Sequence, residues 1–147
     1  MVPELLAPCG LYCGLCGVYV AGRDNNQKLK EKLAGAYGVA PEQVDCEGCL
    51  SDKKFVYCQV CNIRTCVMGK KYEGCHQCNE FPCKFIEDFP VPEGKKNILR
   101  SIPARRALGT EKWVEGEENR FKCSHCGFQM FRGPRRCASC KELLETN

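Results

Sequence analysis

The sequence predicts a small metal-stabilised α+β protein, with an irregular helical cysteine-rich core followed by a C-terminal zinc-ribbon β-hairpin. Three observations lead to this prediction. The chain has only 147 residues, yet it contains 15 cysteines. Twelve of them form six C-x-x-C pairs, a spacing that aims two thiolates at one tetrahedral metal ion. The short helices expected between the pairs bury little apolar surface, so metal binding should supply much of the folding free energy.

Composition divides the chain into three parts. Residues 1–90 form the cysteine-rich core, residues 91–118 a helical connector that packs on the core, and residues 119–147 the zinc ribbon. Within the core, apolar residues repeat at helical spacing between Asp24, a candidate N-cap, and Gly38, a candidate C-cap.

Two helices are predicted in the connector. The first extends from Lys95 to Leu108 with a break near Pro103, and Thr110 caps the second. The second helix carries Trp113, the single tryptophan, which has no aromatic neighbour in the sequence. We therefore interpret Trp113 as a core anchor rather than as a stacking surface for a ligand.

Disulfide bonds are the alternative use for so many cysteines. An odd number of thiols leaves one unpaired in a complete pairing scheme. Residues 1–4 also lack the basic start and apolar segment of a secretory signal peptide. No run approaches the roughly 20 apolar residues of a membrane span. We therefore expect a reduced, cytoplasmic protein that does not enter a membrane.

The C-terminal tail has the pattern C-x2-C-x10-C-x2-C, formed by Cys123, Cys126, Cys137 and Cys140. This spacing is typical of a zinc ribbon, in which two cysteine turns lie on a short β-hairpin. Gly127, directly after the first pair, fits the turn that such a hairpin needs.

The other eleven cysteines are candidate metal ligands of the core: Cys9, Cys13, Cys16, Cys46, Cys49, Cys58, Cys61, Cys66, Cys75, Cys78 and Cys83. We expect the pair at residues 46–49 to share a site with the pair at residues 61–66, because the loop between them is short. The group at residues 75–83 should form another site, with a fourth ligand from the group at residues 9–16.

Zinc and iron bind the same thiolates, so both metals stay open for the core. We expect zinc, in two or more ions, because separated C-x2-C pairs suit isolated tetrahedral sites and the compact ferredoxin run is missing. An Fe–S cluster in the N-terminal core is the alternative.

The C-x3-C-x2-C spacing at residues 9–16 also matches radical S-adenosylmethionine enzymes. Those enzymes need a parallel α/β barrel of roughly 200 residues or more, for which this chain has neither length nor pattern.

Two functional hypotheses follow. No phosphate-binding loop, H-E-x-x-H or G-x-S-x-G motif is present. We therefore favour a non-catalytic interaction module over an enzyme, with redox or metal handling as the alternative.

A protein is the favoured partner. Nucleic acid is weakly supported, because a zinc bound by four cysteinates carries a charge of roughly −2 and offsets the formal charge of +4. The candidate contacts for nucleic acid are Arg132, Arg135 and Arg136. No oligomeric state follows from the sequence.

Four motifs together resemble a family of small prokaryotic cysteine-rich proteins known as a domain of unknown function, number 3795. They are CGLYCGLC at residues 9–16, CEGC at 46–49, CNIRTC at 61–66 and CHQCNEFPC at 75–83. The resemblance covers roughly residues 5–115 and implies a shared metal-built fold, in which the cysteines of these motifs recur. Cys58 is an addition to that pattern, and the ribbon is an appended module. The resemblance implies no activity.

Overall fold

The computed structural model describes residues 1–145, which form six α-helices joined by loops and short 3-10 turns. The α-helices are α1 (Gly17–Arg23), α2 (Gln27–Tyr37), α3 (Asn62–Gly69), α4 (Lys84–Glu87), α5 (Pro92–Leu108) and α6 (Thr110–Arg120). The 3-10 turns span Pro3–Leu5, Cys13–Leu15, Pro41–Gln43, Val56–Cys58 and Cys75–Gln77. No helix in this part of the chain is long and apolar enough to cross a membrane.

The predicted α+β class with a β-hairpin ribbon is wrong, because residues 1–145 contain no β-strand or sheet. Extended pairing is limited to two isolated antiparallel bridges, Lys122 with Gln129 and Arg136 with Leu143. Each bridge closes the loop around one C-x-x-C pair. The prediction assumed that the two pairs lie on adjacent strands of one hairpin, whereas each pair is enclosed by its own loop.

Helices α1 and α2 pack against each other directly after the first cysteine group. Asn26, rather than the predicted Asp24, caps α2, because its side chain accepts a hydrogen bond of 3.1 Å from the Leu29 N–H. The helix ends at Gly38 as predicted, and the φ of Gly38 is 68°, in the left-handed region. Leu29 and Leu33 lie against the adjoining apolar cluster.

Helices α5 and α6 also pack against each other and are joined at Gly109. Pro103 does not break α5, contrary to the prediction. Its ring is exposed, so the missing hydrogen bond to the Leu99 carbonyl falls on the solvent side, where water can replace it. Trp113 is only 1% exposed, which confirms it as a core anchor.

Four small apolar clusters stabilise the described chain in place of one large core. The first lies beneath α1 and α2, and the second lies between α3, α4 and α5. The third joins Tyr12 and Leu15 to Trp113, and the fourth contains Cys123, Cys137 and Met130. Cysteines belong to each cluster or pack against it. Small separate clusters bury limited apolar surface, so bound metal has much to contribute to stability.

Candidate metal centre

The C-terminal segment contains two copies of one cysteine turn, at residues 121–130 and 135–144. In the first copy, backbone hydrogen bonds join Cys123 N–H to the Phe128 carbonyl (2.9 Å) and Met130 N–H to the Phe121 carbonyl (2.9 Å). In the second, the equivalent bonds join Cys137 N–H to the Glu142 carbonyl (2.9 Å) and Leu144 N–H to the Arg135 carbonyl (2.8 Å). The repeat brings the two cysteine pairs together in equivalent backbone settings.

The residue after each C-x-x-C pair adopts a left-handed conformation. The φ of Gly127 is 74° and that of Lys141 is 65°. Their N–H groups donate back to the carbonyls of Cys123 (2.9 Å) and Cys137 (3.1 Å), respectively. Glycine enters this region without steric cost, which explains Gly127. This reversal of the backbone folds each turn around its two thiols.

The thiols of Cys123, Cys126, Cys137 and Cys140 all lie within 4.8 Å of one another, so this group could hold one metal ion. Cys123 Sγ is 3.7 Å from Cys140 Sγ, and Cys126 Sγ is 3.6 Å from Cys137 Sγ. A tetrahedral zinc with Zn–S bonds of about 2.3 Å separates its sulfur ligands by about 3.8 Å. The same contacts are too long for S–S bonds, which measure about 2.05 Å. The donor set and its spacing therefore fit a tetrahedral thiolate site.

The surroundings of Cys137 favour ionisation of its thiol. The backbone N–H groups of Cys140 and Ser139, together with the Cys126 and Cys123 thiols, lower the pKa of Cys137 to about 6. Thiolates rather than thiols bind metal ions, so this environment favours the metal-binding form.

The segment between the two turns contacts the N-terminal core. Arg132 N–H donates to the Leu15 carbonyl (2.9 Å), and its guanidinium donates to the Tyr12 carbonyl (2.8 Å). Arg132 is therefore half-buried in a structural contact, whereas Arg135 and Arg136 are exposed. Of the three arginines considered for nucleic-acid contact, only the last two lie on the open surface.

The described residues contain no second group of three or more candidate ligands as close as the C-terminal one. The core cysteines lie in two neighbourhoods. In the first, Cys16, Cys46 and Cys58 belong to the apolar cluster beneath α1 and α2 or pack against it. Cys49 lies close enough to Cys58 to interact with it electrostatically. A hydrogen bond from Cys13, which packs against the third apolar cluster, is the main reason that the pKa of Cys49 falls to about 7. The cysteines of this neighbourhood are candidates for one shared site.

Arg64 also lowers the pKa of Cys49, and sequence reasoning did not single it out. Its guanidinium donates to the carbonyls of Cys49 (3.5 Å), Cys58 and Gln59 (3.0 Å). Its position inside the C-x4-C pair at residues 61–66 was the available signal. Arg64 connects α3 to two cysteine-bearing loops.

The second neighbourhood lies against α3 and α4. Cys66, Cys75, Cys78 and Cys83 line one cavity there. Cys9 and Cys61 pack against the same apolar cluster, and both are close enough to interact electrostatically with each other. The predicted grouping of residues 46–49 with residues 61–66 differs from this arrangement, because Cys66 lies with the group at residues 75–83. The spacing of the cysteines does not reveal the position of Cys66, because that position depends on how α3 packs.

The fold and this centre define a small helical cysteine-rich protein with a C-terminal group of four thiols that could hold one metal ion. A family model described as "Protein of unknown function (DUF3795)" matches residues 5–88, and the chain belongs to that family. All eleven core cysteines lie within the matched residues, whereas helices α5 and α6 and the C-terminal four-thiol group lie beyond them. Comparisons with curated proteins and with solved structures gave no match.

Proposed function

We propose that this protein is a zinc-binding interaction module in which Cys123, Cys126, Cys137 and Cys140 hold a structural zinc ion. The supporting observation is the mutual proximity of the four thiols, all within 4.8 Å. Thiolate ligands in tetrahedral arrangement favour zinc over harder cations. Four protein ligands also complete the coordination, so no position stays open for a substrate. This closed donor set supports a non-catalytic role.

The zinc ion has a clear structural task in this proposal. It ties together the two cysteine turns, and the segment between them contacts the core through Arg132. Fixing both ends of that segment lowers the entropy cost of its contact with Tyr12 and Leu15. The metal thus stabilises the C-terminal segment on the N-terminal core.

The core cysteines are proposed to bind zinc as well, giving two or more ions per chain. All fifteen cysteines are free of disulfide bonds. Thiolate sites persist where thiols are kept reduced, which supports a cytoplasmic location. An Fe–S cluster in the core is the competing proposal, because eleven thiols exceed what two four-ligand sites require.

Anaerobic purification followed by elemental analysis and an optical spectrum tests the metal assignment. We expect a colourless protein with at least two equivalents of zinc. The double variant C126S/C140S should lose one equivalent, whereas S124A, an exposed change in the same turn, should lose none. A brown protein with absorption near ~400 nm, iron and sulfide would contradict zinc in the core and support electron transfer. Full zinc retention in C126S/C140S would contradict the C-terminal site.

The partner is proposed to be a protein, with nucleic acid as the alternative. The exposed Arg135 and Arg136 support the alternative, because they lie at the start of the second cysteine turn. If nucleic acid binds, its affinity should fall with salt and should fall further in the variant R135A/R136A. No binding at low salt would exclude it. Lysate capture by the zinc-loaded chain, lost in C126S/C140S, would support the protein partner.

A further inference from the structure

The cavity between α3, the turn at Cys75–Gln77 and α4 is lined by four thiols, from Cys66, Cys75, Cys78 and Cys83. The other walls include apolar side chains such as Ile63 and Val67. Four soft donors face one space here, in a largely apolar setting. Cys75 is buried and the other three cysteines are half-buried. Soft thiol donors grouped in this way favour a thiolate metal site.

Three separate backbone elements present these thiols. Cys66 lies on α3, which is anchored through the buried side chains of Ile63 and Val67. Cys75 begins a 3-10 turn in which the Cys78 N–H donates to the Cys75 carbonyl (3.0 Å). The elements are held by packing, so the four thiols stay around one space.

Cys83 is fixed as the N-cap of α4, where its carbonyl accepts from the N–H groups of Ile86 (3.0 Å) and Glu87 (2.9 Å). Ile86 is fully buried and secures α4 against the second apolar cluster. The position of Cys83 therefore depends on the same cluster as that of Cys66.

A cation lies beside this group. Lys70 Nζ is 3.7 Å from Cys78 Sγ, and it also pairs with the Glu80 carboxylate. Four thiolates around a divalent ion leave a net charge of roughly −2. The Lys70 ammonium shares its charge with the Glu80 carboxylate, and it donates toward the Cys78 sulfur as groups around metal-bound thiolates do.

We propose that Cys66, Cys75, Cys78 and Cys83 bind a second tetrahedral metal ion, with Cys66 as the fourth ligand. The inference extends the proposed function from the C-terminal group to the core. Cys13 and Cys16 belong to the other neighbourhood, and Cys9 does not line this cavity. These thiols lie farther apart than those of the C-terminal group, so the proposal requires metal binding to draw them together.

Metal analysis of the full chain, purified anaerobically, tests the ligand set. The single variants C66S and C78S should each lose one equivalent of zinc, and C66S/C78S should lose no more than either one. C126S should lose a different equivalent, so that C78S/C126S loses two. Full zinc in C66S, with loss in C9S, C13S or C16S instead, would overturn the assignment of Cys66.

This experiment tests the two proposed metal sites separately. If C126S loses zinc while C66S and C78S keep it, the core site is wrong and the C-terminal proposal stands. If the reverse occurs, the core site stands without the C-terminal one. Far-UV circular dichroism identifies variants that do not fold.

Alkylation of the chain with its natural sequence tests whether Cys66 is a ligand without any substitution, so it can be used if C66S does not fold. Iodoacetamide is added while a chelator removes zinc stepwise, and mass spectrometry follows each cysteine. Cys66, Cys75, Cys78 and Cys83 should become reactive together as one equivalent of zinc leaves. Early modification of Cys66, while the other three stay protected, would overturn the proposal.

Discussion

Trp113 Nε1 donates a hydrogen bond of 2.7 Å to Ser101 Oγ, and the Ser101 hydroxyl donates in turn to the Gly10 carbonyl (2.7 Å). Trp113 is 1% exposed and Ser101 is 0% exposed. This buried chain of hydrogen bonds joins α5 and α6 to the loop between Cys9 and Cys13. It connects helices beyond the family match to the first cysteine group.

Replacing Ser101 with alanine should destabilise the protein by about 1–3 kcal/mol, because the Trp113 N–H and the Gly10 carbonyl both lose a buried partner. Urea unfolding of the zinc-loaded chain measures the free energy of unfolding. The exposed S124A change serves as the control and should leave that free energy unaltered. Equal stability of the two variants would show that the hydrogen-bond chain contributes nothing.

The pair between Arg100 and Glu117 should be the most important ion pair between α5 and α6. Arg100 Nη2 is 2.9 Å from Glu117 Oε2, and the Glu117 side chain is only 5% exposed. R100A leaves a buried carboxylate without its cation, so we expect a loss of about 2–3 kcal/mol. The double variant R100A/E117A should recover part of this loss.

The exposed pair of Lys84 and Asp88, whose side chains are 88% and 62% exposed, is the matched control. The variant K84A should change the free energy of unfolding by less than ~0.5 kcal/mol, because solvent screens this pair. Similar losses in K84A and R100A would contradict the importance given to burial.

Arg132 should stabilise the contact between the C-terminal segment and the core. R132A removes the hydrogen bond to the Tyr12 carbonyl and should cost about 1–2 kcal/mol. The matched change R135A alters an exposed arginine nearby and should have little effect. Limited proteolysis of zinc-loaded chains measures the difference, since a loosened segment is cleaved faster in the linker at residues 131–134, between the two cysteine turns. Equal cleavage rates would refute the structural role of Arg132.

Complete removal of metal at neutral pH should unfold the protein cooperatively. The four apolar clusters are small, and metal binding contributes on the order of 10 kcal/mol or more per site. Far-UV circular dichroism should lose its helical signal as zinc is chelated, and added zinc should restore it. Elemental analysis should show that the metal has been removed. If the spectrum is unchanged at that point, this account of stability is wrong.

Local chemistry made part of this protein predictable. The chain leaves α2 through a left-handed backbone conformation at Gly38. Glycine adopts this conformation readily, so a glycine after an apolar helical repeat marks the end of the helix in the sequence. The grouping of the four C-terminal thiols was also predictable, since C-x-x-C spacing determines each turn. The predicted hairpin was wrong, because each turn closes on itself through an isolated bridge, at Lys122 in the first and at Arg136 in the second.

Long-range packing decided the rest. Cys66 lines the same cavity as the cysteines at residues 75–83 because Ile63 and Ile86 bury their side chains in one cluster, and nothing in the spacing of cysteines encodes this. Arg132 looked like a surface charge in the sequence, yet its partner carbonyl at Tyr12 lies 120 residues away. Ligand sets and such contacts follow from tertiary structure.

The repeated cysteine turns at residues 121–130 and 135–144 have a practical consequence for insertions into the chain. Each turn closes through its own hydrogen bonds, so the linker between them need only let the two halves meet. Gly133 in that linker is exposed, and no atom lies within 4 Å of the position that a Cβ would take. Its φ of 117° is one that side chains rarely adopt, so the glycine is kept and residues are added after it. Doubling the length of a flexible loop costs only about 0.6 kcal/mol. A peptide tag or a spectroscopic label inserted after Gly133 should therefore leave metal binding intact.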